Sequence, residues 1–455
     1  MKTLPAFRRY EPRQLLLLPP DMTQWLPAEH LVYFIRDVVG QMDLSGIYDS
    51  YDGSQGGYPP YHPEMMVSLL IYAYSVGVPS SRQIEKATHE SVPFRVLTAD
   101  QHPDHDTIAE FRRRHLKMLA SLFLDVLRLC RKAGLVKLGH VSLDGTKVHA
   151  NASKHKAMSY GRMQKAEVEL QAEVERLLKK ADVTDEEEDQ RYGKGRRGDE
   201  LPEELRFKES RLAKIRAAKE ALEHEARKEA QQKRAEQEKR KEDRDPRGRP
   251  PKAPTEEPDP KSQRNFTDPD SRIMKESASK SFEQCYNCQA AVDESSQIIV
   301  ATGVTQETND KRQLKPLLET LKRNLHKKPK RVSADSGYYS EENISFLGTE
   351  GIDGYVATDR VKHTSKAVAA PRGRIPQGAT VKERMARKLQ TVKGRSLYGK
   401  RKTIVEPVFG QIKHIRNFRQ FLLRGIEKVA PEWHLICLGH NLLKLFRSGW
   451  SPAMG

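Results

Sequence analysis

Hydrophobic and polar positions change period several times along this chain. Residues 1 to about 135 carry apolar side chains at helical spacing and predict a helical domain. Ser80 with Gln83, and Thr107 with Glu110, each form a capping-box pattern. The second box opens a short helix that turns Ile108 and Phe111 inward and Arg112, Arg113, Arg114 and His115 largely outward. From 136 to 150 the pattern shortens: Val141, Ser142 and Leu143 form a strand that ends at Asp144. Two β-rich runs, 286–292 and 298–304, flank a turn at 293–296. A helix with Leu314, Leu317, Leu318 and Leu321 on one face follows, then a strand over 331–335, a helix over 340–347 and a strand over 354–357. Residues 359–402 are basic and lack apolar periodicity, and two helices, about 403–416 and 432–447, close the chain. That succession predicts an α/β domain with a mixed sheet.

The first strand is separated from the second by a long intrusion, about 155–262. Met163, Leu170 and Leu177 stand at heptad spacing on a first helix. A highly charged second helix, about 203–243, carries Leu205, Leu212, Ile215 and Leu222. With the acidic stretch 185–189 between them, they predict an antiparallel helical hairpin whose far end is a solvated helix. The proline-rich segment 243–260 predicts an extended linker.

Composition narrows the partner. Over 455 residues, 37% are hydrophobic and 31% charged, enough for two or three domains with one strongly solvated segment. A formal net charge of +18 favours a polyanion: DNA, RNA or an acidic membrane surface. The apolar run from Leu15 to Leu18 stops at Pro19 and Pro20, so no signal peptide is expected, and no stretch is long enough to span a membrane. Four cysteines in so long a chain fit a reducing cytosol. Cys285 and Cys288 have no second pair to complete a zinc site and read as strand residues, with a metal clip as the alternative. Short capped helices with an arginine-rich face, Arg112 and Arg113 foremost, resemble DNA-binding modules; the plain alternative is a solvated face. In the linker, Pro246-Arg247-Gly248-Arg249-Pro250 resembles the core of an AT-hook, whose arginine pair enters the narrow minor groove of A/T-rich DNA. Its alternative is a basic flexible linker.

The candidate chemistry lies in three carboxylates. Asp144 ends the first strand before Gly145, Thr146 and Lys147, and Asp335 ends the fourth before Ser336 and Gly337. Carboxylates at strand ends converge at one sheet edge, where ligands sit in open α/β sheets. Glu406 falls in the first turn of the next-to-last helix, whose core stripe is Ile404, Val408, Ile412 and Ile415; Lys413, seven residues on, shares its face. Three converging carboxylates suit two magnesium ions, which take oxygen ligands and drive in-line phosphoryl displacement. Singly, each residue is an ordinary turn residue, and Asp-Gly is a common turn dipeptide.

The segments Leu143-Asp144-Gly145-Thr146-Lys147, Ala334-Asp335-Ser336-Gly337-Tyr338 and Val405-Glu406-Pro407-Val408-Phe409-Gly410-Gln411-Ile412-Lys413 resemble bacterial insertion-sequence transposases. The fit is closest to the branch called IS-eleven-eighty-two, related to the IS-four and IS-five groups. The pattern around 103–108 with Phe111 and Arg112 resembles that branch's helical entry domain. The resemblance covers the chain apart from the charged intrusion. It implies a ribonuclease-H-like catalytic core with a DDE triad at Asp144, Asp335 and Glu406, served by Mg²⁺, with Mn²⁺ able to substitute. It implies binding of terminal inverted-repeat DNA and target DNA, a homodimer on DNA and a cytoplasmic, nucleoid-associated site of action. In the related groups a Tyr, Arg, Glu, Lys signature surrounds the glutamate. Glu406 and Lys413 keep its spacing, as do Tyr398 and Arg401, but Arg401 stands one residue too far from Glu406 and Lys402 occupies the expected place. The arginine role lies open between Arg401 and Lys402.

The expected organisation is a DNA-binding entry domain at 1–135, the first catalytic strand at 136–154, the insertion and linker at 155–262, the remaining core at 263–447 and a tail at 448–455. The expected activity is end cleavage followed by joining of a 3′ hydroxyl to target DNA. The competing readings are a ribonuclease-H-like nuclease that only hydrolyses and an inactive, transposase-derived DNA-binding regulator.

Overall fold

The computed structural model describes residues 21, 24–51, 59–192, 203–243, 253–275, 281–359, 370–371 and 373–451. Among the described residues, the helices α1 (Leu31–Val39), α2 (Ser45–Tyr48), α3 (Pro63–Val76), α4 (Ser81–Glu90), α5 (Val92–Leu97), α6 (His105–Arg114) and α7 (Leu116–Lys132) precede the sheet. Helix α3 opens on Pro63, whose missing N–H is an orphan at a first helical position anyway. It ends at Gly77, which takes a left-handed φ of 82°. A Cβ there would stand 2.6 Å from the Arg416 carbonyl oxygen, so glycine both ends the helix and admits a distant segment.

The two expected capping boxes do not form. Ser80 precedes α4 without a side-chain cap bond. Helix α6 starts two residues before Thr107, capped by Asp104, whose carboxylate accepts from Thr107 N at 2.7 Å. Aspartate is the stronger cap because its charge faces the positive helix end. Ile108 and Phe111 point inward as expected, but Arg112 and His115 are buried too.

The main sheet is built from β1 (His140–His149), β4 (Arg272–Lys275), β5 (Phe282–Asp293), β6 (Ile299–Thr305), β7 (Arg331–Ala334) and β8 (Asp353–Val356). Its order is β4-β5-β1-β7-β8, with β6 also pairing β5. Strand β1 is central: it runs antiparallel to β5 and parallel to β7, and β7 runs parallel to β8. A mixed sheet flanked by helices is therefore present, consistent with a ribonuclease-H-like core. The strand at 141–143 was expected to stop at Asp144. Instead β1 continues to His149, because β5 pairs with it all the way from Val141.

Helix α10 (Leu314–Leu325) buries Leu314, Leu317, Leu318 and Leu321. Helix α11 (Glu341–Thr349) connects β7 to β8. The basic region after β8 contains two helices that its weak periodicity hid, α12 (Val381–Gln390) and α13 (Val392–Ile404). Then come α14 (Glu406–Gly410), a π-helical turn at Gln411–Ile415 and α15 (Ile426–Arg447). That π turn breaks the expected stripe: Ile404, Val408 and Ile412 are buried, but Ile415 is 77% exposed. Arg416 N reaches back to Gln411 O at 3.1 Å, a five-residue step that shifts the helical phase and turns Arg416 inward instead.

Helix α15 packs against β6 and also against α3 and α7. One apolar cluster runs from Val32 through Leu127, Val141 and Val332 to Leu445. Helices α1 to α7 and the sheet thus share a single core. The intrusion has cores of its own. Strands β2 (Ala157–Ser159) and β3 (Gln263–Asn265) pair antiparallel at its root, and α8 (Tyr160–Tyr192) packs against α9 (Glu203–Asp243). Tyr160, Met163, Ile215, Ala218 and Leu222 form one cluster, and Val174 and Leu212 a second. The stretch 185–189, expected between the helices, belongs to α8. Residues 244–252, with the AT-hook-like Arg247 and Arg249, lie outside the described residues.

Candidate active site

Register brings the two aspartates together. In the parallel pair of β1 and β7 the last partners are Leu143 and Ala334. Asp144 and Asp335 are the next residue on each strand, at the carboxyl end of the parallel ladder. Each aspartate spends one oxygen on local backbone: Asp144 Oδ1 accepts from Gly145 N at 2.9 Å, and Asp335 Oδ1 from Gly337 N at 2.9 Å. The Asp144 carboxyl is pushed up to about 7, chiefly by burial and further by the charges of Asp335 and Asp310, against the pull of Arg401.

Arg401, on α13, donates from Nη1 to Asp144 Oδ2 at 2.9 Å, and its Nη2 lies 3.7 Å from Glu406 Oε1. Its guanidinium also sits 6.0 Å from the centre of the Tyr398 ring. Burial raises the Tyr398 phenol, with Arg401 opposing. Lys402 points to solvent. Of the two candidates for the signature arginine, the fold brings Arg401 to the carboxylates.

Glu406 is placed by a break in the helix. Pro407 has no N–H to bond Thr403 O, so α13 stops at Ile404 and α14 starts afresh at Glu406. The freed Thr403 carbonyl accepts instead from Gln297 Nε2 at 2.8 Å. Glu406 is half exposed and meets Asp144 through Arg401. Lys413 lies on the π turn, where its Nζ donates to the Lys147 carbonyl on β1.

A fourth carboxylate, Asp310, was not anticipated. Asn287 Nδ2 and Gln289 Nε2 on β5 donate to its Oδ1 at 2.7 and 2.6 Å. A Cβ on Gly145 would stand 2.7 Å from that oxygen, and one on Gly337 would stand 3.2 Å from Asp310 Oδ2. The carboxylate therefore lies between the glycines that follow Asp144 and Asp335. Beneath it the Tyr338 hydroxyl donates to Gln289 Oε1. The sequence signal was present: Asn287 and Gln289 stand at two-residue spacing in the middle of a buried strand, among Cys285, Tyr286, Cys288 and Ala290.

Among the described residues, no group of three His, Cys, Asp or Glu side chains is arranged to hold a metal ion. The donor set nevertheless fits a hard divalent cation. It offers carboxylate oxygens: Asp310 lies between the glycines that follow Asp144 and Asp335, and Glu406 is joined to Asp144 through Arg401.

The remaining expectations fall elsewhere. Arg112, expected outward, is buried and donates to Pro79 O at 2.8 Å, Ser81 Oγ at 3.1 Å and the Tyr74 hydroxyl at 3.4 Å. Ile108 and Phe111 bury the same side of α6, so Arg112 faces inward and supplies the donor for the Pro79 carbonyl. Arg113 stays exposed and pairs with Glu110. Cys285 and Cys288 are buried strand residues without a disulfide.

Residues 254–442 match the family described as "Transposase DDE domain". Residues 20–114 match a second family, "Transposase domain (DUF772)". Together they support a DDE transposase in an insertion-sequence context. The DDE match includes Asp310, Asp335 and Glu406, whereas β1 with Asp144 and most of the hairpin fall between the two matched segments. No curated protein and no solved structure gives a significant match. Among the described residues, no helix is long and apolar enough to cross a membrane.

Proposed function

We propose that this transposase cuts the ends of a mobile DNA element and joins the resulting 3′ hydroxyls to target DNA. One observation carries the reading: the Leu143–Ala334 register sets Asp144 beside Asp335, with Arg401 linking Asp144 to Glu406. Asp144, Asp335 and Glu406 would hold Mg²⁺ or Mn²⁺, which supply activation of the attacking oxygen and charge stabilisation on the leaving oxygen. Arg401 and Lys413 position the scissile phosphate, the arginine through its planar fork and the lysine as a point charge. Tyr398 orients the arginine from below. Asp310, held by the Asn287 and Gln289 amides, adds a negative charge beside Asp144. Terminal inverted-repeat DNA and target DNA are the substrates, and a homodimer would bring two ends together.

The test is single-residue replacement, Asp144→Asn, Asp335→Asn and Glu406→Gln, assayed on duplexes carrying the inverted repeats that flank the coding region. Each should lose end cleavage and joining of a precleaved end while still binding DNA. Joining that is absent in the wild type while cleavage persists would favour a nuclease instead. A folded Glu406→Gln protein with full activity would remove that residue from the reading.

A further inference from the structure

At the root of the helical hairpin, the start of α8 and the near part of α9 enclose a cavity of about 630 Å³. Lining it are His155, Lys156, Arg162, Arg211 and Lys214, with Phe207 at the mouth, and no acidic residue. Several other cations on the hairpin and at its root are neutralised. Arg216 and Lys219 pair with Glu167, Lys208 with Glu173, and Arg264 and Arg272 with Glu225. Among the described residues, the side chains of Lys156, Arg162, Arg211 and Lys214 make no ion pair or hydrogen bond, and all four are exposed. Phe207 is 68% exposed on the face that carries Arg211 four residues on and Lys214 seven on. An unneutralised cluster of like charges around a cavity attracts a polyanion. A water-exposed ring within it gives a base somewhere to stack.

We propose that this cavity binds the DNA backbone with Phe207 stacking on an unpaired base, holding single-stranded DNA next to the duplex that enters the active site. The proposal rests on the transposase reading, which supplies the nucleic acid. Its placement agrees with that role. His155 follows Asp144 by eleven residues, a reach of at most about 40 Å. One turn of duplex spans about 34–36 Å. DNA held at Asp144 therefore reaches the cavity within about one turn. This gives the insertion a task of its own: it takes hold of a strand that the catalytic centre does not read.

The experiment compares full-length wild type with two variants, Arg162→Gln/Arg211→Gln/Lys214→Gln and Phe207→Ala. Probes are one arbitrary duplex and the same duplex with a single-stranded tail, titrated over a range of salt without Mg²⁺. None of the four residues lies in the hairpin cores, and circular dichroism with a thermal melt checks the fold. Each phosphate contact contributes about 0.9 to the log–log salt slope on duplex and about 0.7 on single strand. The triple variant should lower the slope on tailed DNA by about 2 or more and weaken its binding at least tenfold. Phe207→Ala should weaken tailed DNA about fivefold or more and leave blunt duplex unchanged. An unchanged salt slope in the folded triple variant overturns the proposal, as does equal displacement of tailed DNA by polyglutamate of the same charge. Loss on blunt and tailed DNA alike in Phe207→Ala overturns the stacking role. If wild type cuts end DNA normally while these variants bind like it, the inference fails and the transposase reading stands. If wild type binds neither probe, the transposase reading fails with it.

Discussion

The Arg401 guanidinium donates to Asp144 Oδ2 at 2.9 Å and is the cation that faces this buried carboxylate. Its other terminal nitrogen faces Glu406 at 3.7 Å, so one side chain stands between two of the three carboxylates. Replacing it leaves Asp144 buried beside Asp335 and Asp310 with the Gly145 amide in place but without its cation. Arg401→Ala should reduce end cleavage at least tenfold at neutral pH and move the acid limb of the rate profile to higher pH. Arg401→Lys should restore the profile better than the rate, because an ammonium cannot span both partners. A profile unchanged in the alanine variant would contradict this.

The same carboxyl makes stability depend on pH. Asp144 is raised from an ordinary value of about 3.9 to about 7 in the fold. The folded state thus favours its neutral form. That contribution is fully present below pH ~4 and is lost as pH rises through about 7. Asp144→Asn should melt with the wild type near pH 4 and above it at pH 8. Added Mg²⁺ should raise the wild-type melting temperature at pH 8 and not that of the variant. Coincident melting curves at pH 8 would count against both statements.

Asp310 should act through its neighbours. Asp310→Asn keeps an oxygen for Asn287 and Gln289 but removes a negative charge that raises Asp144. The acid limb of the rate profile should move to lower pH. Asp310→Ala leaves both amides without their acceptor, and the folded state should lose about 1–3 kcal/mol, read by chemical denaturation.

Gly145 has no room for a side chain. A Cβ would meet Gln289 Nε2 at 2.6 Å and Asp310 Oδ1 at 2.7 Å. Gly145→Ala should destabilise by about 1–3 kcal/mol and depress cleavage by displacing the carboxylate beside Asp144. A variant that melts normally and cuts normally would show that the pocket yields without consequence.

Arg112 and Arg113 should separate cleanly despite being adjacent. Arg112→Ala removes donors from the Pro79 carbonyl and Ser81, and takes a charge from beside buried Glu432. A loss of about 2–4 kcal/mol is expected, with no change in the salt slope of DNA binding. Arg113→Ala should leave the melting temperature unchanged, since its pair with Glu110 is exposed.

Much of this was legible in the chain. Short β-rich runs between turn residues located β5, β6, β7 and β8 to within a few residues, and Met163, Leu170 and Leu177 at heptad spacing marked the first helix of the hairpin, because helical periodicity reports which face an element buries. The three acidic residues could be named because each stands one or two residues before a Gly or Pro, although Asp144 lies within β1 rather than at its end. Other features needed the folded chain. The end of the β1–β7 ladder, rather than the end of a strand, sets Asp144 beside Asp335, and register is a property of two segments 191 residues apart. Arg401 rather than Lys402 reaches Asp144 because α13 runs unbroken to Ile404 and Pro407 then halts it, which fixes the helix face presented to the sheet. Asp310 lies in a loop without periodicity and gains meaning only from two amides on a neighbouring strand. Arg112 looked like a surface charge because its spacing on α6 does not report the Pro79 carbonyl packed above it. Local sequence fixes which residues form an element and which face is apolar; what lies opposite that face is decided by long-range packing.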